Sequence, residues 1–208
     1  DDLSLSSPDP KVREYWIKHC VEGLKITEYF AKETGQKSLM NIWIPDGLKD
    51  VPADRFGPRK KLRDSLDKIL AGYKYDKKVM DISVESKAFG IGVESYTVGS
   101  NEFYLNYAAS RNICCLLDTG HFHPTENVAD KISSMFAFYN KLAFHVSRPV
   151  RWDSDHVLKL NDEREPKLPT DILKIRNDKE PKLPTDILKI RNDKEPKLPE
   201  DVLKIRND

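Results

Sequence analysis

The chain is short of several things that would fix its class at once. Only three of its 208 residues are cysteine: Cys20, Cys114 and Cys115. An odd number gives no disulfide framework, and no Cys-x-x-Cys pair is there to hold a structural zinc. Cys114 and Cys115 adjoin within an apolar run, so they read as small buried hydrophobes in a reducing, cytoplasmic setting. Charge of one sign is not in excess either, since 35 basic and 34 acidic side chains leave a net charge of +1. A protein held on nucleic acid by phosphate contacts needs a basic face, so no nucleic-acid partner is expected. No apolar run approaches the roughly 20 residues of a spanning helix, so no membrane partner is expected. No signal-peptide pattern opens the chain. It starts Asp1-Asp2 without Met, the start expected of a fragment. There is no P-loop and no Gly-x-Ser-x-Gly elbow, and Gly90-x-Gly92 is followed by Ser95 instead of a third glycine.

The composition changes at residue 158. Residues 158–208 repeat with a period of 15, as in LKIRNDKEPKLPTDI. This tail holds 25 charged residues and six prolines, with no glycine and no aromatic. Each copy carries Pro-Lys-Leu-Pro, and proline interrupts both long helices and central strands. Two readings stay open: a loosely extended tail, or a stacked or strand-adding element. No residue in it suggests chemistry. The expected division is therefore 1–157 as one domain and 158–208 as a repeat tail.

The first 157 residues alternate helix and strand. Ser7-Pro8-Asp9-Pro10 supplies caps for a helix running to about Gly35, with Val12, Trp16, Cys20 and Leu24 at helical spacing. Strands are expected over 38–44, 78–85, 112–118 and 142–146, with one more at 156–160. Helices are expected over 54–70, 102–110 and 125–139. The run NICCLLD is almost continuously apolar, as in a sheet strand covered on both faces. The pattern fits an α/β fold with parallel βα units, either an open doubly wound sheet or a (β/α)₈ barrel.

Position singles out the polar residues. Asp46, Glu85, Asp118 and His145 each stand at or just past the C-terminal end of an expected strand, the edge where α/β folds bind ligands. Loops rich in metal-capable side chains follow two of these strands. One holds His121 and His123; the other holds Asp153, Asp155 and His156. Mixed Asp, Glu and His sets suit Mn²⁺, Mg²⁺ or Co²⁺, with zinc also possible. Each residue has a plainer reading. Asp46 in Pro-Asp-Gly forms turns, Glu85 fits a solvated strand end, His121 precedes a helix start, and His145 fits a hydrogen-bonded core position.

The segments SPDP, IWIPDG, DRFGPRKKLRDSLD, ESKAFGIGVESYTVGSNEFY, LDTGHFHPTE, KISS and HVSRPVRWDSDHV together resemble L-rhamnose isomerase, from about Leu3 to Val157. That resemblance implies a metal-dependent aldose–ketose isomerase of the xylose-isomerase plan: a (β/α)₈ barrel, usually a homotetramer, with two divalent metals at its mouth. One metal would be held by Glu85, Asp118 and His145. The other would be held by His121, Asp153 and Asp155. Lys87 matches a lysine near the sugar's C1 and C2 oxygens, and Trp43 an aromatic lining the sugar pocket. Catalysis would fall to Lys87 and Asp155. The implied cofactor is Mn²⁺, and the implied reaction interconverts L-rhamnose and L-rhamnulose by a hydride shift between C1 and C2. The match stops at Val157 with no position for the family's fourth ligand, so a partial TIM barrel lacking first and last strands is expected. The second reading is an inactive isomerase-derived chain whose tail serves as an interaction or structural segment.

Overall fold

The computed structural model describes residues 3–44, 46–48, 52–87, 96–123, 126 and 128–146. The repeat tail, the strand expected at 156–160, and Asp153 and Asp155 lie outside them.

The first helix, α1 (Pro10–Thr34), starts where proline and a cap coincide. The Asp9 side chain accepts from the Lys11 amide, and Gly35 closes the helix in the left-handed region at φ 67°. Its inner face buries Cys20, Leu24 and Ala31. Four strands follow in one parallel sheet: β1 (Ser38–Trp43), β3 (Met80–Glu85), β5 (Cys114–Asp118) and β6 (Leu142–His145). Their spatial order is β1-β3-β5-β6, which is also chain order. Between them run α2 (Phe56–Gly72), α3 (Asn101–Arg111) and the short α4 (Ala129–Met135).

The sheet has two unlike faces. Ile42, Ile82, Val84, Cys115, Leu117 and Leu142 join one apolar core with Leu24 of α1, Leu62, Leu66 and Ile69 of α2, Tyr104 of α3 and Ile132 of α4. All four helices thus cover the same face. On the other face, Cys114, Leu116 and Ala143 form a small separate cluster with Leu39. Alternation puts Asn41, Ser83, Glu85 and Asp118 on that second face.

Several boundaries differ from the sequence expectation for local reasons. The strand expected from Lys78 starts at Met80, because Asp76 first gathers a turn: its carboxylate accepts from the Lys78 amide at 2.9 Å and its carbonyl from Val79 and Met80. Asn112 is a left-handed helix cap (φ 51°), so β5 starts only at Cys114. The helix expected over 125–139 contracts to Ala129–Met135. Beyond it, Ala137 and Phe138 reach back three residues to Ser134 and Met135, tightening the chain out of the α-helix. A two-stranded antiparallel ribbon, β2 (Gly47–Leu48) with β4 (Tyr96–Thr97), was not anticipated; two-residue strands carry no periodicity to read. Arg59 of α2 pins this ribbon. It donates to the Tyr96 hydroxyl at 2.9 Å and the Thr97 carbonyl at 3.1 Å, with its guanidinium 4.5 Å from the Tyr96 ring.

Among the described residues, no helix is long and apolar enough to cross a membrane. The three cysteines are free and buried, as their apolar setting predicts.

Candidate metal centre

Parallel pairing brings the C-terminal ends of β3, β5 and β6 to one edge of the sheet. Asp118 and His145 are direct register partners, and Glu85 lies one strand over, opposite Leu116. Each of the three terminates its strand, so its side chain stands at the common mouth. His121 comes from the 3₁₀ turn Thr119–His121 that follows β5. Asp118 builds that turn itself: its Oδ1 accepts from the Gly120 amide at 2.8 Å. Its Oδ2 stands 3.8 Å from His121 Nε2 and 3.4 Å from His145 Nδ1.

Glu85 divides its oxygens in the same way. Oε2 accepts from the Asn41 side-chain amide at 2.5 Å. Oε1 stands 3.0 Å from His145 Nδ1 and 3.8 Å from His121 Nδ1. Ser83 donates its hydroxyl to Asn41 Oδ1 at 2.8 Å, which turns the amide nitrogen of Asn41 toward Glu85. The Ser86 carbonyl lies 2.7 Å from His121 Nδ1. A carbonyl can only accept, so in the neutral ring Nδ1 carries the proton and Nε2 keeps its lone pair.

One ligand atom each from Glu85, Asp118 and His121 lie within 4.8 Å of one another, and all three residues are buried. Two carboxylates this close in a buried site call for positive charge beside them. The chain supplies one source in His145, whose imidazolium is favoured by the Asp118 and Glu85 carboxylates, lifting its pKa to about 9. A divalent cation meets the same demand, and a carboxylate–imidazole donor set suits one. The group is therefore able to hold a metal on the chemistry of its donors.

The remaining residues singled out by sequence fall into three sets. Trp43 ends β1 as the register partner of Glu85, and it is 43% exposed at the same edge. Lys87 stands two residues past the end of β3, and its backbone amide donates to the Gly99 carbonyl at 3.3 Å. Asp153 and Asp155 lie outside the described residues, so the structure does not address their grouping with His121, whereas it does bring His121 to Glu85 and Asp118. Asp46 does not join the cluster, and it is no solvated turn residue. It is 2% exposed, and its carboxylate accepts from the amides and hydroxyls of Ser4 and Ser6 at 2.7–3.2 Å. His123 is exposed.

Asn41, Ser83 and Ser86 escaped the sequence reading. A signal for the first two existed. Each is a polar interruption of an apolar strand, at matching positions of SLMNIW and MDISVE, and they prove to be register partners.

Comparison with known proteins agrees with the geometry. The family model described as L-rhamnose isomerase (RhaA) matches residues 1–182, past the point where the motif resemblance stopped. The L-rhamnose isomerase of Yersinia pseudotuberculosis serotype O:1b (strain IP 31758) is 54% identical over 165 residues, covering 79% of this chain and 39% of that protein. The L-rhamnose isomerase of Yersinia pestis (strain Pestoides F) is 53% identical over the same length, with the same coverage. The chain thus spans 39% of the length of these relatives. With a family match over most of its residues, and the acidic–imidazole cluster standing at the ends of consecutive parallel strands, the chain belongs to the L-rhamnose isomerase family.

Proposed function

We propose that this chain carries the metal-holding part of an enzyme that interconverts L-rhamnose and L-rhamnulose. The observation that carries the reading is the buried convergence of Glu85, Asp118 and His121, with His145 3.0 Å from Glu85. Glu85, Asp118, His121 and His145 would hold a divalent ion, Mn²⁺ on the family resemblance, and Asp153 and Asp155 would serve a second. When bound, such an ion polarises a sugar carbonyl and lowers the pKa of coordinated water.

The chain's own groups supply the rest. Lys87 places a fixed cation beside the strand end, suited to a negative charge developing on a substrate oxygen. Trp43 offers an aromatic face at the same edge, suited to the apolar side of a sugar ring. Asp155 is assigned proton transfer. The Ser86 carbonyl holds the His121 proton on Nδ1, so that His121 faces the site with one defined nitrogen.

The sheet is read as part of a (β/α)₈ barrel. Its strands run in chain order, and its helices lie on one face, whereas a doubly wound sheet carries helices on both. The second face, small and partly polar, would then be the barrel interior. Residues 1–157 would form this domain, the repeat would form a separate tail, and the protein would act as a cytoplasmic homo-oligomer.

Rhamnulose formation from L-rhamnose with Mn²⁺, alongside calorimetric Mn²⁺ titration, tests the reading. Turnover that disappears with Asp118→Asn supports it. Mn²⁺ uptake without turnover favours an inactive isomerase-derived chain. No uptake at millimolar Mn²⁺ sinks the metal centre.

A further inference from the structure

The peptide that joins Ser86 to Lys87 is engaged on both of its sides. Its carbonyl lies 2.7 Å from His121 Nδ1, and its amide N–H donates to the Gly99 carbonyl at 3.3 Å. A trans peptide is planar, and its C=O and N–H point in opposite directions. Holding the N–H therefore aims the C=O. A further contact fixes the residue that carries this carbonyl: the Ser86 hydroxyl donates to Asn101 Oδ1 at 2.6 Å. Ser86 and His121 are both buried, so little water competes for these contacts.

Both anchors belong to the start of α3. Ser100 caps that helix, its Oγ accepting from the Phe103 amide at 3.3 Å. The cap is thus supplied without Asn101, whose side chain turns instead to Ser86. Gly99 is backed by the core. A Cβ on it would meet Tyr104 Cε2, and would stand 2.7 Å from Cζ and 2.8 Å from the hydroxyl oxygen. That is well inside the roughly 3.5 Å at which carbon atoms pack. Tyr104 is fully buried in the main core, so the ring has no room to retreat. Glycine is needed here for close approach, and the Gly99 carbonyl is placed by a core side chain.

We propose that Asn101 and Gly99 are positioning residues for His121: through the Ser86–Lys87 peptide, the start of α3 sets the tautomer and direction of that imidazole. The proposal rests on the reading of His121 as a metal ligand. With the proton held on Nδ1, Nε2 keeps the lone pair that an ion needs. The other tautomer carries its proton on Nε2 and gives up that ligand atom. A peptide plane free to turn would let both forms coexist.

Nitrogen–proton correlation NMR of the imidazoles in the metal-free full chain tests this, at alkaline pH where an ordinary imidazole is neutral. The signals lost in His121→Gln assign that ring. The parent should carry its His121 proton on Nδ1. Asn101→Ala should lower the ratio of the Nδ1–H to the Nε2–H form roughly three- to tenfold, the worth of one ordinary hydrogen bond. Mn²⁺ binding in calorimetric titration should weaken by a similar factor. Ser86→Ala breaks the same bond from its other end and should match it, with the double variant adding little. Asn101→Asp keeps an acceptor for the Ser86 hydroxyl and should restore the parent tautomer. Gly99→Ala should shift the ratio in the same direction as Asn101→Ala. Ser86→Ala decides the matter should Asn101→Ala not fold by circular dichroism. A parent with the proton on Nε2, or a folded Asn101→Ala or Ser86→Ala with the ratio unchanged, would overturn the proposal. Failure of the metal reading looks different: no Mn²⁺ uptake by any of these chains, while the tautomer still follows Asn101. That outcome removes the ion and leaves the positioning supported.

Discussion

Asn41 touches no ion or sugar in this reading, yet it sets the direction of Glu85. Its amide nitrogen holds Oε2, and Ser83 holds the amide. Outer partners of this kind typically tune metal affinity ten- to a hundred-fold. Asn41→Leu should therefore weaken Mn²⁺ binding by about ten-fold or more in calorimetric titration, with Ser83→Ala causing a smaller loss in the same direction. Unchanged affinity in both would mean that Glu85 is held by packing alone. Asp46 is the second instructive residue. Four donors from Ser4 and Ser6 converge on its carboxylate, tying the segment before α1 to the start of the β2–β4 ribbon. Asp46→Ala strands the buried donors of Ser6 and the half-buried donors of Ser4. It should cost roughly 2–3 kcal/mol in urea unfolding without touching the metal group. Pro-Asp-Gly could be read as a turn from sequence, but Ser4 and Ser6 lie some 40 residues away, and nothing local announces them.

Between elements, α2 and α3 are clamped by one carboxylate. Asp67 accepts from Arg111 Nε and Nη2, both at 2.8 Å, and from the Tyr107 hydroxyl at 2.9 Å. These contacts, Arg111 foremost, hold the Asp67 carboxyl below its usual pKa. A depressed carboxyl adds stability above the unfolded-state pKa, and loses it as pH falls through the folded one. The clamp is about one-third exposed, so screening limits its worth to about 0.5–1 kcal/mol. Asp67→Asn should unfold earlier in urea by about that margin at pH 7. The gap should narrow as pH drops below about 4, the usual Asp value. A gap independent of pH would refute the ionic account. The helices themselves were readable because caps and periodicity are local, as Asp9 and Gly35 show for α1. The shortened α4 was not, since the i→i+3 turns that end it leave no mark in composition.

For the molecule as a whole, the cysteines report on integrity. Burial pushes the Cys20 thiol up to about 11, and Cys114 and Cys115 up to about 12. The thiolate is the reactive form, so alkylation at pH 7.5 should be slowed by more than about a hundred-fold in the folded chain relative to urea-unfolded chain. Mass spectrometry of iodoacetamide-treated protein checks this. Rapid labelling of Cys114 or Cys115 under native conditions would show that the sheet opens readily at β5. Cys20 lies on the core-facing side of α1, so its labelling separately tests whether α1 stays docked on the core.

The sequence by itself determined the α/β class, the order of the long elements, and the candidates Glu85, Asp118, His121 and His145. Hydrophobic periodicity and strand-end position are properties of short windows, and the motifs around these residues carried the family. Only the tertiary structure decided how the candidates group. It brings His121 to Glu85 and Asp118, sends Asp46 to Ser4 and Ser6, and makes Asn41 and Ser83 neighbours of the site. The reason is that strand register is a long-range choice. Whether a polar side chain reaches a carboxylate depends on which residue of the neighbouring strand stands beside it, and nothing within a window of the chain specifies that.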